Sequence, residues 1–375
     1  MIEQKNINVY AALGGTGYGI TSINIIKALM NINDLQTNIF PIGQNIQVNN
    51  DIEANIIKQG LSNARGKFRA DAPCLKIWHQ NDLYARIGYG HYYTFPFFEI
   101  DKLHPFEVDQ LNECRGIFAS SKWAKDILIN NGVRTQIYIA PLAVDTTIFK
   151  TPPKIKMSGP YKFLHIGKWE ERKSHDFLLK CFDAAFSKQD NVELVLVPSN
   201  PFLNEEQTNK WLSLVSSCTL KDKIKIMPRL PTQHDLASLI FDCDCGIYLS
   251  RAEGWNNEIL ETMALNRPVI VTNYSAHTEY CTKDNALLVD ITELEPANDG
   301  MWFNGFGKWA KLGQEQLDQT VEHMRHVYNN NIRTNQNGLE TCKYYTWSNT
   351  ANIIHNTLIE NNSYHANTTK KRKRR

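Results

Sequence analysis

The stretch SRAEGWNNEILETMALNRPVIVT, Ser250 to Thr272, decides the reading of this chain. It carries two carboxylates, Glu253 and Glu261, eight residues apart. Eight residues on a helix is a little over two turns, so side chains at that spacing lie close to one face. Glu253 sits in a polar turn with Gly254, whereas Glu261 falls in the apolar helical run Ile259, Leu260, Met263, Ala264. One carboxylate therefore stands at the mouth of a helix and the other along its first turns. The free N–H groups of Asn257 and Glu258 at that mouth would make an anion pocket with carboxylates at its rim. Arg267-Pro268 then stops the helix, and Val269 to Thr272 reads as a buried parallel strand. A pair of glutamates that only caps and solvates a helix has the same spacing.

Working outward, apolar runs of strand length alternate with helix-period segments along the whole chain, the pattern of parallel sheets with crossover helices. In the first half the strands are Ile7 to Leu13, Asn38 to Ile42, Cys74 to Trp78, Gly116 to Ser120 and Gln136 to Ala140, with a helix from Ser121 to Asn131. VDTTIFKTPPKIKMSGP, residues 144–160, breaks the pattern with prolines, glycine and lysines and reads as a linker. The pattern restarts with Tyr161 to Gly167, Val192 to Val197, Lys223 to Met227, Gly246 to Ser250, Val269 to Thr272 and Ala286 to Val289. After Thr292 the text is irregular, then helical from about Gln314 to Tyr328 and Ser348 to Glu360. Two Rossmann-like α/β halves with a cleft between them follow from this echo. The domain limits are 1–150, a linker at 151–160, 161–345, a helix at 346–360, and a disordered basic tail at 361–375.

A chain of 375 residues exceeds the usual single core, in keeping with two domains. The net charge of +2 is set by the six basic residues from Lys370 to Arg375. Without them 35 basic residues face 39 acidic ones, so no general nucleic-acid-binding surface is indicated. The eight cysteines contain no C-x-x-C pair and several lie in apolar runs, as buried thiols of a cytoplasmic protein do. The first residues lead into a strand and do not form a signal peptide, and no stretch approaches the ~18 apolar residues of a membrane span. The basic tail reads as a solvated end, a nuclear-import signal, or a peripheral contact for an anionic membrane or polymer.

Two further segments suit anionic ligands. Leu13-Gly14-Gly15-Thr16-Gly17-Tyr18-Gly19 places glycines between the first strand and first helix, where backbone can approach a phosphate. It lacks the G-x-G-x-x-G spacing of dinucleotide folds. Gly167-Lys168-Trp169-Glu170-Glu171-Arg172-Lys173-Ser174 follows the first strand of the second half. Its cations either pair with Glu170 and Glu171 in a solvated helix start or hold a bound anion. Positive charge at a helix N-terminus opposes the dipole, which favours the anion.

With both segments in view, the chain resembles family 4 glycosyltransferases, whose E-x7-E signature matches Glu253 and Glu261. The resemblance covers most of the chain and implies a GT-B fold, with a last helix crossing back to the N-terminal domain. It implies transfer of a sugar from a nucleotide diphosphate to a hydroxyl on a glycan, lipid or protein, with retention of configuration and without metal or other cofactor. Lys173 matches the family lysine that clamps the leaving diphosphate. Lys168 stands in place of its arginine, and Ser174 in place of its glycine. A lysine keeps the charge and loses the bidentate fork.

The same comparison puts Gly15 and Thr16 at the diphosphate, Glu261 on the ribose hydroxyls and Glu253 on the transferred sugar. Gly254, Trp255, Asn256 and Asn257 complete the donor loop, and Arg229 borders the base. His79, at the end of a strand, matches a histidine that often lines the reaction centre. On the acceptor side Tyr92 to Asp101, YYTFPFFEID, supplies Glu99 and a set of rings that reads equally as a sugar-stacking platform or a core strand. Asp242-Cys243-Asp244 has the D-x-D form of metal-dependent transferases, but its place at a helix-to-strand junction argues against a metal site. Two rivals remain: a catalytically degenerate nucleotide-sugar-binding or scaffold protein, and a nicotinamide dehydrogenase built on the first glycine loop, which leaves Glu253, Glu261 and the second cation cluster unexplained.

Overall fold

Short runs of branched and aromatic residues bounded by glycine, proline and asparagine give parallel strands, and the amphipathic stretches between them give crossover helices. A computed structural model describes residues 5–66, 68–151 and 159–372. The chain divides into two units. The first takes residues up to Phe98, Leu103–Ala143, and the chain from Tyr345 onward; the second takes Glu99–Lys102 and Val144–Tyr344.

The first unit contains β1 (Lys5–Leu13), α1 (Gly17–Met30), β2 (Leu35–Ile46), α2 (Asp51–Gly66), β3 (Cys74–Ile77), β4 (Tyr92–Phe95), α3 (Pro105–Asn112), β5 (Gly116–Ala119), α4 (Lys122–Asn130) and β6 (Ile137–Ile139). Its sheet has the order β2-β1-β3-β4-β5-β6, and every pair is parallel. Ser121 caps α4 by accepting a hydrogen bond from the Ala124 N–H at 3.1 Å. The β1-to-α1 turn is tight enough that a Cβ on Gly19 would lie 1.7 Å from the Gly14 carbonyl oxygen, so only glycine fits there.

The second unit contains β7 (Tyr161–Ile166), α5 (His175–Ala185), β8 (Val192–Val197), α6 (Glu205–Ser217), β9 (Ile224–Ile226), α7 (Gln233–Asp242), β10 (Cys245–Tyr248), α8 (Asn257–Ala264), β11 (Val269–Asn273), β12 (Leu287–Asp290), β13 (Leu294–Asn298), β14 (Asn304–Ala310), α9 (Gln314–Asn329) and α10 (Gln336–Cys342). Its sheet has the order β12-β11-β10-β7-β8-β9, again wholly parallel. The core between β7, β8, β10 and helix α5 is built on Phe163, Leu178, Phe182, Leu194 and Ile247, all buried. The last helix, α11 (Trp347–Arg372), belongs to the first unit and lies against α1.

Of the two readings open for Tyr92–Phe95, the structure takes the core strand: it is the buried β4, with the Tyr92 hydroxyl donating to the Leu83 carbonyl at 2.7 Å. Three sequence expectations are corrected. The irregular text after Thr292 forms the antiparallel hairpin β13–β14, paired from Leu294 with Ala310 to Asn298 with Asn304. The tail from 361, expected to be disordered, continues α11 as far as Arg372, and residues 373–375 lie outside the described residues. Glu99–Lys102, expected in the N-terminal domain, joins the second unit. Of the expected linker, residues 152–158 lie outside the described residues. Among the described residues no helix is long and apolar enough to cross a membrane. All eight cysteines are free, and all but the partly exposed Cys218 are buried.

Candidate functional site

β7 ends at Ile166, and the chain turns through Gly167 into a single 3-10 turn, Glu171–Lys173, before α5. Ser174 joins the two in the left-handed region at φ 57°, a conformation that costs a non-glycine residue about 1 kcal/mol. That backbone accounts for the glycine that the resembling motif carries at this position. The turn directs the Lys173 side chain back over Gly167, where a Cβ would meet Lys173 Cδ at 3.0 Å and His165 Nε2 at 3.3 Å. The adjoining loop from β10 is stitched to it by the Arg251 N–H, which donates to the Arg172 carbonyl at 2.8 Å.

These two loops hold a buried network of alternating charge. Glu253 accepts from Lys173 Nζ at 2.6 Å and from Arg172 Nη1 at 2.7 Å. Arg172 Nη2 donates to Glu170 at 3.0 Å and lies 4.0 Å from Glu99. Glu170 in turn accepts from Lys168 Nζ at 2.6 Å. Arg172, Lys173, Glu170 and Glu253 are all buried, whereas Lys168 is partly exposed. The cations pair with Glu170 as the helix-start reading has it, but Arg172 and Lys173 are buried and not solvated.

Burial acts to raise the Glu253 carboxyl, but Arg172 and Lys173 outweigh it and hold it well below the usual carboxylate range. Burial likewise acts to lower Lys173, and Glu253 and Glu258 reverse the sign and raise it. The Arg172 guanidinium is raised in the same way, by Glu253, Glu99 and Glu170 against burial. All three groups stay ionised.

The second carboxylate behaves in the opposite way. Glu261 is buried on α8, and burial together with the neighbouring Glu258 raises it well above its ordinary value. Among the described residues nothing donates a hydrogen bond to its carboxyl. The helix it sits on starts at Asn256, which adopts φ 77° and supplies no side-chain cap. Asparagine tolerates that conformation, and Asn256 is pinned there by the Tyr280 hydroxyl, which donates to the carbonyls of Trp255 at 2.7 Å and Asn256 at 2.9 Å. His277 sits beneath, with Nδ1 3.0 Å from the Thr272 carbonyl and Nε2 3.1 Å from Asn256 Nδ2. Burial pushes His277 down to about 4, so it is neutral near pH 7, with its Nδ1–H donating to Thr272 and its Nε2 accepting from Asn256.

The remaining expected residues fall in different places. Gly254 and Trp255 are buried in the loop before α8, with the Trp255 ring 4.7 Å from Tyr280. Asn257 opens α8, and Arg229 is exposed in the loop after β9. Glu99, expected on the acceptor side, belongs with the Arg172 cluster. In the first unit Gly15 and Thr16 form the turn before α1. His79 is exposed beyond β3, its Nδ1 3.2 Å from the Tyr18 hydroxyl, which itself donates to the Phe97 carbonyl at 2.8 Å. Asp244 of the D-x-D triplet is buried and committed to structure, accepting from the Lys162 N–H at 2.8 Å and pairing with Arg333. Among the described residues no group of three or more His, Cys, Asp or Glu side chains is placed to hold a metal ion.

Sequence reasoning missed Arg172 and Glu170 as members of the site. The signal was present in their position, two residues apart between Lys168 and Lys173, where a 3-10 turn brings alternating charges to one side.

Residues 160–298, the bulk of this unit, match the family model described as glycosyl transferases group 1. That stretch is similar to a group 1 glycosyltransferase domain. An uncharacterized glycosyltransferase of Methanocaldococcus jannaschii is 26% identical over 113 residues, 30% of this chain and 26% of that protein. The alignment thus spans about a quarter of that relative's length.

Among solved structures, the sucrose-phosphate synthase of Thermosynechococcus elongatus matches with a TM-score of 0.70 at 12% identity, over 96% of this chain and 100% of the other. A glycosyltransferase of Rickettsia africae matches with a TM-score of 0.67 at 14% identity, over 96% and 99%. Anabaena HepE, solved with UDP and glucose, matches with a TM-score of 0.64 at 13% identity, over 95% and 99%. These likenesses show the fold: two parallel-sheet, Rossmann-like domains of the GT-B type.

Proposed function

We propose that this protein is a group 1 glycosyltransferase, and that it moves a hexose-type sugar from a nucleotide diphosphate to a hydroxyl acceptor, with retention and without a divalent metal. The observation that carries the reading is the buried Lys173–Glu253–Arg172 cluster beside the uncapped start of α8. Breaking an anomeric carbon–oxygen bond leaves growing negative charge on the departing phosphate, and fixed donors at that point lower the barrier. One well-placed donor is worth about 3 kcal/mol.

Lys173, Lys168 and the first N–H groups of α8 are those donors in this chain. Glu253, kept ionised by its cations, accepts from hydroxyls of the transferred sugar, and Glu261 accepts from the ribose. Arg229 borders the base. On the resemblance, Gly15, Thr16 and His79 of the first unit are further site residues, and the acceptor is a glycan, glycolipid or glycoprotein. The protein works in the cytoplasm, and the basic end of the chain contacts an anionic membrane or polymer. HepE was solved with UDP and glucose, and that favours a uridine donor.

The test is nucleotide release from a panel of UDP- and GDP-sugars in the presence of a chelator, with the anomeric configuration of the product read by proton NMR. Release of one nucleotide with the donor's configuration kept supports the proposal; a requirement for divalent metal, or inversion, contradicts it. The replacements at Lys168 and Ser174 favour one second reading, a catalytically degenerate binding protein. Such a protein binds a nucleotide sugar and releases no nucleotide with any acceptor.

A further inference from the structure

The run YYTFPFF, read equally as a platform or a core strand, is mostly buried, yet the second unit displays exposed rings elsewhere. Phe202 and Trp302 are 53% and 58% exposed, and their rings meet edge to face with centroids 5.8 Å apart. They come from segments a hundred residues apart in sequence, the loop after β8 and the tip of the β13–β14 hairpin. The hairpin emerges next to β12, at one edge of the sheet, and packs Trp309 and Ala297 on Ala252. Its tip reaches the loop beyond β8, on the far side of β7.

Both rings are held in place by built turns. Asp299 Oδ1 accepts from the N–H groups of Met301, Trp302 and Phe303 at 2.9, 2.7 and 2.8 Å, and the Asp299 N–H donates to the Phe303 carbonyl. Asn200 Oδ1 accepts from the Phe202 N–H at 3.0 Å, while its Nδ2 donates to the Trp169 carbonyl at 2.9 Å. Folding leaves two large rings exposed and uses six hydrogen bonds to fix them, an arrangement suited to a flat apolar ligand surface. The platform is also continuous with the charged cluster, because Lys168 Nζ lies over the Phe202 ring at 5.4 Å. That contact ties the rings to the phosphate end of the proposed donor.

We propose that Trp302 and Phe202 form a carbohydrate subsite that binds a sugar ring of the acceptor. A pyranose has one face of C–H groups that stacks on an indole and a rim of hydroxyls that needs polar neighbours. The exposed Asn298 and Asn304 flank the tip in sequence, and each uses its Oδ1 within the turn. Their Nδ2 groups are left to donate to such hydroxyls. The cation already over Phe202 occupies one position beside that ring, so stacking falls mainly to Trp302. This inference rests on the glycosyltransferase reading above.

The experiment applies the full-length protein, with and without UDP, to an array of immobilised bacterial and eukaryotic glycans, beside Trp302→Ala and Phe202→Ala variants. Calorimetric titration with UDP, GDP and ADP is run on the same samples, and circular dichroism checks their folding. The expected result is a set of glycans retained by the wild type, with at least tenfold weaker retention by Trp302→Ala, a smaller loss in Phe202→Ala, and unchanged nucleotide affinity. Retention of no glycan by the wild type, or equal retention by the variants, overturns the subsite. A tenfold loss of nucleotide affinity in Trp302→Ala overturns it in favour of a base-stacking role, and binding of the wild type to anionic vesicles that Trp302→Ala abolishes, without glycan retention, overturns it in favour of a membrane contact. Failure of every nucleotide to bind, with glycan retention intact and sensitive to Trp302, overturns the donor assignment instead.

Discussion

Both units end their first strand in a glycine-containing turn that leads into a helix, and there the likeness stops. The turn from Leu13 to Gly17 carries no charged side chain, and its glycine constraint is backbone against backbone, Gly19 on Gly14. The turn from Gly167 to Ser174 carries three cations and two carboxylates, and its glycine constraint is backbone against the Lys173 side chain. The first turn is shaped to be approached; the second is charged to hold. The proposed anion chemistry therefore rests mainly on the second unit, and equivalent substitutions in the two turns should have different consequences.

The largest effect is expected from Gly19→Ala, whose Cβ has no room beside the Gly14 carbonyl. The first unit should fail to fold, seen as loss of cooperative melting, while Gly167→Ala should fold and bind nucleotide at least tenfold more weakly because only the Lys173 and His165 side chains have to shift. Equal behaviour of the two variants would break the comparison.

Next comes Glu253→Gln. Removing one member of a buried ion network leaves Arg172 and Lys173 undercompensated, at a cost of about 3 kcal/mol in urea denaturation. The sign of the pH dependence follows from the depressed carboxyl. The Glu253 contribution is complete above the ordinary glutamate value of ~4.3 and is lost as pH falls through the lower folded value. Glu253→Gln should lack that part of the acid limb.

A smaller effect is expected from Glu261, whose carboxyl is raised. Its ionisation costs stability as pH rises above the ordinary value, so Glu261→Gln should gain on the wild type with increasing pH. If the carboxylate form accepts from the ribose hydroxyls, nucleotide binding should release a proton. Calorimetry in buffers of different ionisation enthalpy measures that release, and Glu261→Gln should abolish it.

How much of this was legible in the sequence depends on whether the information was local. The parallel strands were, because Val192–Val197 and Val269–Asn273 are short branched runs between punctuating residues. The E-x7-E segment was as well, since helix period and turn chemistry fix where Glu253 and Glu261 lie. β4 was ambiguous, because a buried aromatic strand and an exposed aromatic surface share one composition, and only pairing with β3 and β5 distinguishes them. The β13–β14 hairpin was hidden by Gly305 and Gly307, whose positive φ values shape a strand that does not alternate cleanly. Arg172 reads locally as a solvated cation. Its burial depends on Glu253, eighty-one residues later in the chain, and on Glu99, seventy-three residues earlier. The opposed ionisation of the two glutamates was likewise unreadable, for it is set by which cations reach each of them in space.

The central claim is that the charged turn of the second unit holds a nucleoside diphosphate. Its most direct test is calorimetric titration of the full-length protein with UDP, GDP and ADP in the presence of a chelator, beside Lys173→Ala. The account predicts micromolar binding of one nucleotide, weakened tenfold or more in the variant, about 1.4 kcal/mol. Binding that ignores Lys173, or no binding of any of the three by a folded wild type, would contradict it.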